Sequence, residues 1–104
     1  MLLKDCPVSV ALHVIGGKWK PLLLNELKSG TLRYGELRRR VPEASPKVLT
    51  EQLRQLEALG IVQRTSAGSA TPRTEYKLTP YGRTLSPILA RLCKWGELHR
   101  QRCE

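Results

Sequence analysis

The sequence predicts a mainly helical α+β fold, and three observations carry that prediction. Apolar residues recur at helical spacing over most of the 104 residues, with prolines placed where helices begin. Between residues 61 and 79 the apolar period falls from about 3.6 to about 2, as half-buried strands require. The order of these segments, helices first, then a pair of strands, then a last helix, describes one domain covering residues 1–104.

Cys6-Pro7 opens the first helix, with proline at its favoured first position and Cys6 as N-cap. Val8, Ala11, Leu12 and Ile15 follow at helical spacing until Gly16-Gly17 stops the run. A second helix spans about Lys18 to Lys28, turns Leu23, Leu24 and Leu27 inward, and tolerates Pro21 in its first turn. After Ser29-Gly30 a short extended piece, Thr31 to Arg33, leads into a third helix with Tyr34, Leu37 and Val41 on one face. Pro42 ends that helix, and Pro42 to Ala44 form a tight turn. Ser45-Pro46 then supply the N-cap and first position of a fourth helix, whose Leu49, Leu53 and Leu56 form an apolar stripe ending at Gly60.

"IVQRT" and "TEYKLT" read as strands, the second with Tyr76 and Leu78 on one face and Glu75 and Lys77 on the other. "SAGSATPR" between them is too long and polar for a tight hairpin. Pro80 and Gly82 mark a brief helical start. Leu85, Ile88, Leu89, Leu92 and Trp95 then form a stripe along a last helix reaching about Gln101, with Cys93 buried beside it. Two short helices joined by a tight turn, followed by a strand pair, are the order of a winged helix-turn-helix, here with additional N- and C-terminal helices available for dimerisation.

Charge suggests the partner. The 18 Lys and Arg against 9 Asp and Glu give a net charge of +9, which favours a polyanion. With the leucines of the fourth helix facing the core, Lys47, Thr50, Glu51 and Arg54 fall on the opposite side, where base edges or phosphates of double-stranded DNA can be met. Ser45 stands at the leading end of that helix, Arg38, Arg39 and Arg40 lie just upstream, and Arg64 and Arg73 flank the wing. The solvated-face alternative does not require arginines at all three places.

"CPV…ALHVIGGKWKPLLLNEL", "RYGELRRRVPEASPKVLTEQLRQLEALGIVQR" and "PRTEYKLTPYGRTLSPILARLCKWG" together resemble the HxlR-type transcriptional regulators, relatives of the MarR-like winged helices. The resemblance runs from Cys6 to about Gly96 with its spacings intact. It implies a homodimeric, DNA-binding bacterial regulator in which the fourth helix reads the groove and the first and last helices dimerise. On this chain the implied interface comprises Val8, Leu12, Leu85, Ile88, Leu89, Leu92 and Trp95. Some members of that family sense electrophiles or oxidants through a cysteine at the place of Cys6.

Other chemistries find less support. "IGGKWK" has neither the spacing of a P-loop nor a preceding strand, so its glycines separate two helices. Trp19 is then a core residue, and Lys18 and Lys20 sit at a helix N-terminus where a DNA phosphate could be held. Cys6 feels the positive end of a helix dipole, which favours a thiolate, although Asp5 opposes this. His99 and Cys103 have the i, i+4 spacing of a metal pair but lack further ligands, so no metal and no cofactor are expected. His13 has no catalytic partner, and no enzyme is expected. Three cysteines without C-x-x-C spacing fit a reducing cytoplasm. No membrane segment or signal peptide is read. The expected function is an operator-binding regulator, with a small electrophile or oxidant as a candidate effector. The alternatives are a winged helix that binds RNA or one that serves only protein interaction.

Overall fold

In the computed structural model, which describes residues 6–67 and 73–103, the apolar stripes become nine elements. They are α1 (Pro7–Ile15), α2 (Trp19–Leu27), β1 (Leu32–Arg33), α3 (Tyr34–Arg40), α4 (Pro46–Ala58), β2 (Val62–Ala67), β3 (Arg73–Leu78), α5 (Pro80–Arg83) and α6 (Ser86–Cys103). The architecture is mainly helical with a small antiparallel sheet of order β1-β3-β2, a winged helix-turn-helix.

The core forms where α2, α4 and the sheet meet. Leu23, Leu24 and Leu27 of α2 and Leu49, Leu53 and Leu56 of α4 are all buried, joined by Leu37 and Val41 from α3 and its end. Val62 pairs with Leu78 and Arg64 with Tyr76 across the β2–β3 ladder. Directly opposed residues share a face, so Val62, Leu78 and Tyr76 close the core while Arg64 stands at the open end of the same face. Both ladder strands run further than the sequence pattern suggests, to the pair Ala67 and Arg73. Paired backbone groups continue through polar Ser66 and Thr74, where side-chain alternation carries no apolar signal.

Turns are set by specific backbone requirements. Ser45 Oγ accepts from Val48 N at 3.1 Å, a side-chain cap for α4. At the other end of α4, Gly60 takes φ 75°, Ile61 N donates to Leu56 O and Gly60 N to Glu57 O. This pattern satisfies carbonyls that the helix leaves open. Gly17 (φ 89°) frees the chain between α1 and α2, as the separation of two helices at "IGGKWK" demands. Trp19 is half-buried against the core rather than enclosed, with Lys18 Nζ 4.7 Å from its ring centroid.

The C-terminal region departs from the sequence reading in three respects. The brief helical start becomes α5 and α6 continues to Cys103, but Leu85 stands before α6 instead of within it. Pro87 is the reason, because its ring lacks an N–H and would collide with the carbonyl four residues earlier in a continuous helix. Within the stripe only Leu85 and Leu89 pack on the core. Ile88, Leu92, Trp95 and Leu98 are left 49–64 % exposed, and so are Val8 and Leu12 of α1. Cys93 is exposed, not buried, because α6 extends past the core and none of its residues is buried.

The α5 turn is clamped onto the end of α4. Thr79 Oγ1 donates to Gly60 O at 2.6 Å and accepts from Gly82 N at 2.9 Å. Gly82 is buried, and a Cβ there would stand 2.1 Å from the backbone oxygen of Ile61. Backbone cannot yield as a side chain can. Gly82→Ala is expected to destabilise the fold by about 1–3 kcal/mol, read as a lowered denaturation midpoint at fixed protein concentration with unchanged far-UV circular dichroism.

Candidate nucleic-acid interface

The buried leucine stripe of α4 dictates what the helix shows on its other side. Lys47, Glu51 and Arg54 are exposed and Thr50 is half-buried. Pro46, Lys47, Thr50, Glu51 and Arg54 line one continuous surface depression along the outer face of α4. Ser45 is exposed at its leading end, with its oxygen engaged in the cap. No acidic residue lies in the first turn, so the partial positive charge of the helix N-terminus is left unopposed there.

A second cleft, of about 590 Å³, opens between α4, the start of α3 and the sheet. Arg33, Arg54 and Arg64 line it together with Tyr34, Thr50, Glu57, Thr74 and Tyr76. Three guanidinium-bearing residues from three elements therefore border one concave surface with a single carboxylate. Such a surface attracts anions and offers bidentate donors to phosphates or guanine edges. Burial pushes the Tyr76 hydroxyl up from the usual phenol range, partly offset by the neighbouring Arg64. Tyr76 and Arg64 both line the cleft.

The arginine run of α3 divides. Arg40 Nη1 lies 3.4 Å from Glu26 Oε1 on α2 and so braces two helices. Arg38 and Arg39 remain exposed and line a shallow depression with Gly35, Pro42 and Ala44 on the side of the turn. The two lysines of "GGKWK" also part. Lys18 is exposed over the Trp19 ring. Lys20 Nζ turns toward α4, donating to Gln52 Oε1 at 3.0 Å and also to Gln55 Oε1. Arg73 opens β3, but its side chain lies outside the described residues.

Arg33, Tyr34 and Glu57 belong to this surface and were not singled out by the sequence. Arg33 is the N-cap of α3, and its backbone N–H is held by Glu36 Oε1 at 2.9 Å. That S/T/D/N-free cap gives little warning in the sequence. Tyr34 sits on the α3 stripe and reads as core, yet its hydroxyl reaches Thr50 Oγ1 at 3.2 Å and Pro46 O at 3.4 Å.

Away from this face, Cys6 caps α1 without a side-chain hydrogen bond and is exposed, as are Cys93 and Cys103. Cys103 Sγ lies 3.5 Å from His99 Nε2, and the His99 ring stacks on Trp95 at 5.0 Å between centroids. No group of three or more His, Cys, Asp or Glu residues among the described residues could hold a metal ion. No helix among them is long and apolar enough to cross a membrane.

A tri-helical core, a helix with a polar basic face set by a tight turn, and a β-hairpin at its side define a helix-turn-helix transcriptional regulator of the winged type. The chain belongs to the HxlR-like helix-turn-helix family, whose model matches residues 14–104. It is similar to the HTH-type transcriptional regulator YybR of Bacillus subtilis, with 46 % identity over 97 residues, 93 % of this chain and 78 % of that protein. Among solved structures it is similar to the redox regulator HypR. The reduced form superposes with TM-score 0.88 at 46 % identity, covering 91 % of this chain and 94 % of that one. The oxidized form gives 0.83 at 48 %, covering 88 % and 95 %. Diamide-treated YodB from B. subtilis matches at TM-score 0.76 and 28 % identity, covering 91 % and 95 %. YybR and YodB are transcriptional regulators, and HypR is a redox regulator.

Proposed function

We propose that this protein is a sequence-specific regulator that binds a promoter operator as a homodimer, with α4 in the major groove. The observation that carries this reading is the outer face of α4. Its leading turn, Lys47, Thr50, Glu51 and Arg54 face away from the core, and the arginine-lined cleft continues that face toward the wing. In this reading Arg54, Thr50 and Glu51 meet base edges. Ser45, Lys47, Arg38, Arg39, Arg64, Arg73 and Lys18 hold phosphates.

Selection of random DNA by the purified protein, followed by sequencing, should return a defined motif. Arg54→Ala should then weaken binding to that motif more than to random DNA, by about 1–3 kcal/mol. Arg38→Ala should weaken both equally and lower the slope of log affinity against log salt by about one. Equal loss on both DNAs for Arg54→Ala, measured by fluorescence anisotropy, would remove base readout from α4.

Dimerisation is supported by the apolar surface the single chain leaves uncovered. Val8 and Leu12 on α1 and Ile88, Leu92, Trp95 and Leu98 on α6 are large and half-exposed or more. Exposed apolar side chains repeated along two helices favour association. Leu85 and Leu89, which touch the core, form the inner edge of the same interface. A two-fold dimer should select an inverted repeat with half-sites about one DNA turn apart or a multiple of it. Sedimentation velocity at micromolar concentration is expected to show a dimer for the wild type and a monomer for Leu92→Glu with unchanged helix content.

Cys6 is proposed as the sensor of an oxidant or small electrophile. It is exposed at the start of the helix that carries Val8 and Leu12, so a modification there acts beside the proposed interface. The similarity to HypR, a redox regulator solved in both oxidation forms, supports the same reading. Both half-sites must be met together, so a shift of a few ångströms between subunits suffices to release DNA. Stoichiometric diamide or a quinone should abolish operator binding by the wild type and spare Cys6→Ser. Retained affinity after mass spectrometry shows Cys6 modified would end this assignment.

A further inference from the structure

We propose that Thr50 reads the 5-methyl group of a thymine, and that Tyr34 is the positioning residue that turns the Thr50 methyl toward the DNA. The inference rests on the reading of α4 as the helix in the groove. A threonine on a reading helix has two chemically different faces. Its hydroxyl can bond a base edge or a phosphate, whereas its methyl can only pack, and thymine is the one standard base with an apolar group in the major groove.

The geometry chooses between them. Tyr34 OH lies 3.2 Å from Thr50 Oγ1 and 3.4 Å from Pro46 O, the carbonyl one helical turn before Thr50. The carbonyl can only accept. Whichever hydroxyl donates across the 3.2 Å contact, Thr50 Oγ1 is the branch turned inward to Tyr34. Branching at Cβ then sets the methyl about 120° away from that oxygen in a staggered rotamer. Thr50 lines not only the inner cleft beside Tyr34 but also the outer depression with Pro46, Lys47, Glu51 and Arg54. The methyl is the branch left for that outer surface. Both oxygen contacts are long for O–H···O bonds, so Tyr34 biases the threonine rotamer rather than locking it.

Thymine-to-uracil exchange removes the methyl and leaves every base-pair hydrogen bond in place. The selected operator is therefore resynthesised with uracil at each thymine in turn, and the ratio of thymine to uracil affinity is measured for three proteins. The wild type is expected to show a ratio of about fourfold at one position per half-site, the loss of one buried methyl. Thr50→Ser, which keeps the hydroxyl and lacks the methyl, should bring that ratio to one. Tyr34→Phe should lower it part of the way, because the freed hydroxyl can turn outward.

A purely structural tyrosine would weaken both duplexes alike and leave the ratio at its wild-type value, which would overturn the positioning role. A wild-type ratio of one at every thymine, with preference for the selected site over random DNA intact, would overturn the methyl readout and leave the regulator reading standing. Absence of any preferred DNA sequence would overturn both.

Discussion

Burial of the Leu49, Leu53 and Leu56 stripe is the constraint on which the rest of the structure depends. These side chains are completely withdrawn from solvent against α2, Leu37 and the inner face of the sheet. A helix with one face so committed has no rotational freedom about its axis. Displacing a buried leucine costs about 2–5 kcal/mol, far more than a polar contact on the opposite face returns. The outward direction of Thr50, Glu51 and Arg54 therefore follows from packing they take no part in. Polar ties refine the placement: Ser45 caps the helix, Lys20 reaches Gln52 and Gln55, and Tyr34 meets its first turn.

The same core explains why the two ends of the chain differ from the middle. Once α2, α3, α4 and the sheet have covered one another, little buried surface remains for α1 and α6. Ile15 enters the core from α1 with Val14 packed against it, and Leu85 and Leu89 approach it from just before α6 and from its first turn. Beyond those anchors Val8 and Leu12 of α1 and Ile88, Leu92, Trp95 and Leu98 of α6 stay open to solvent in a single chain. A fold whose proposed reading helix is packed into the core and whose terminal helices are only anchored at one end separates two tasks. The centre presents side chains, and the periphery sets how one copy stands against another in the proposed dimer. Cys6 is exposed at the end of α1 opposite Ile15, which places the proposed sensor at the periphery and away from the core.

Much of this was legible in the sequence, because helix stripes, caps and prolines are local signals. The leucines of α2 and α4, the Ser45-Pro46 start and the alternation of Tyr76 and Leu78 each state a periodicity and a face within a few residues. The exposed side of α4 follows from them by geometry, so Lys47, Thr50, Glu51 and Arg54 could be grouped before any coordinates. The brief helix before the last one was written in the sequence as well, in Pro80 and Gly82, although the apolar stripe drew Leu85 into the last helix. The exposure of Cys93 was not written there, since periodicity states which residues share a face and not whether anything covers it.

The sequence by itself determined the element order, the core-facing residues of each central helix and the polar character of the α4 outer face. Only the tertiary structure decided how residues distant in the chain divide their work. Arg40 leaves its neighbours to brace Glu26, Lys20 turns to α4, and Arg64 joins Arg33 and Arg54 around one cleft. Tyr34, a core residue by its spacing, meets Thr50 sixteen positions away. The physical reason is range. Propensity, capping and amphipathic period act over one or two helical turns, whereas the direction of a long polar side chain depends on which element packing has placed within a few ångströms of it.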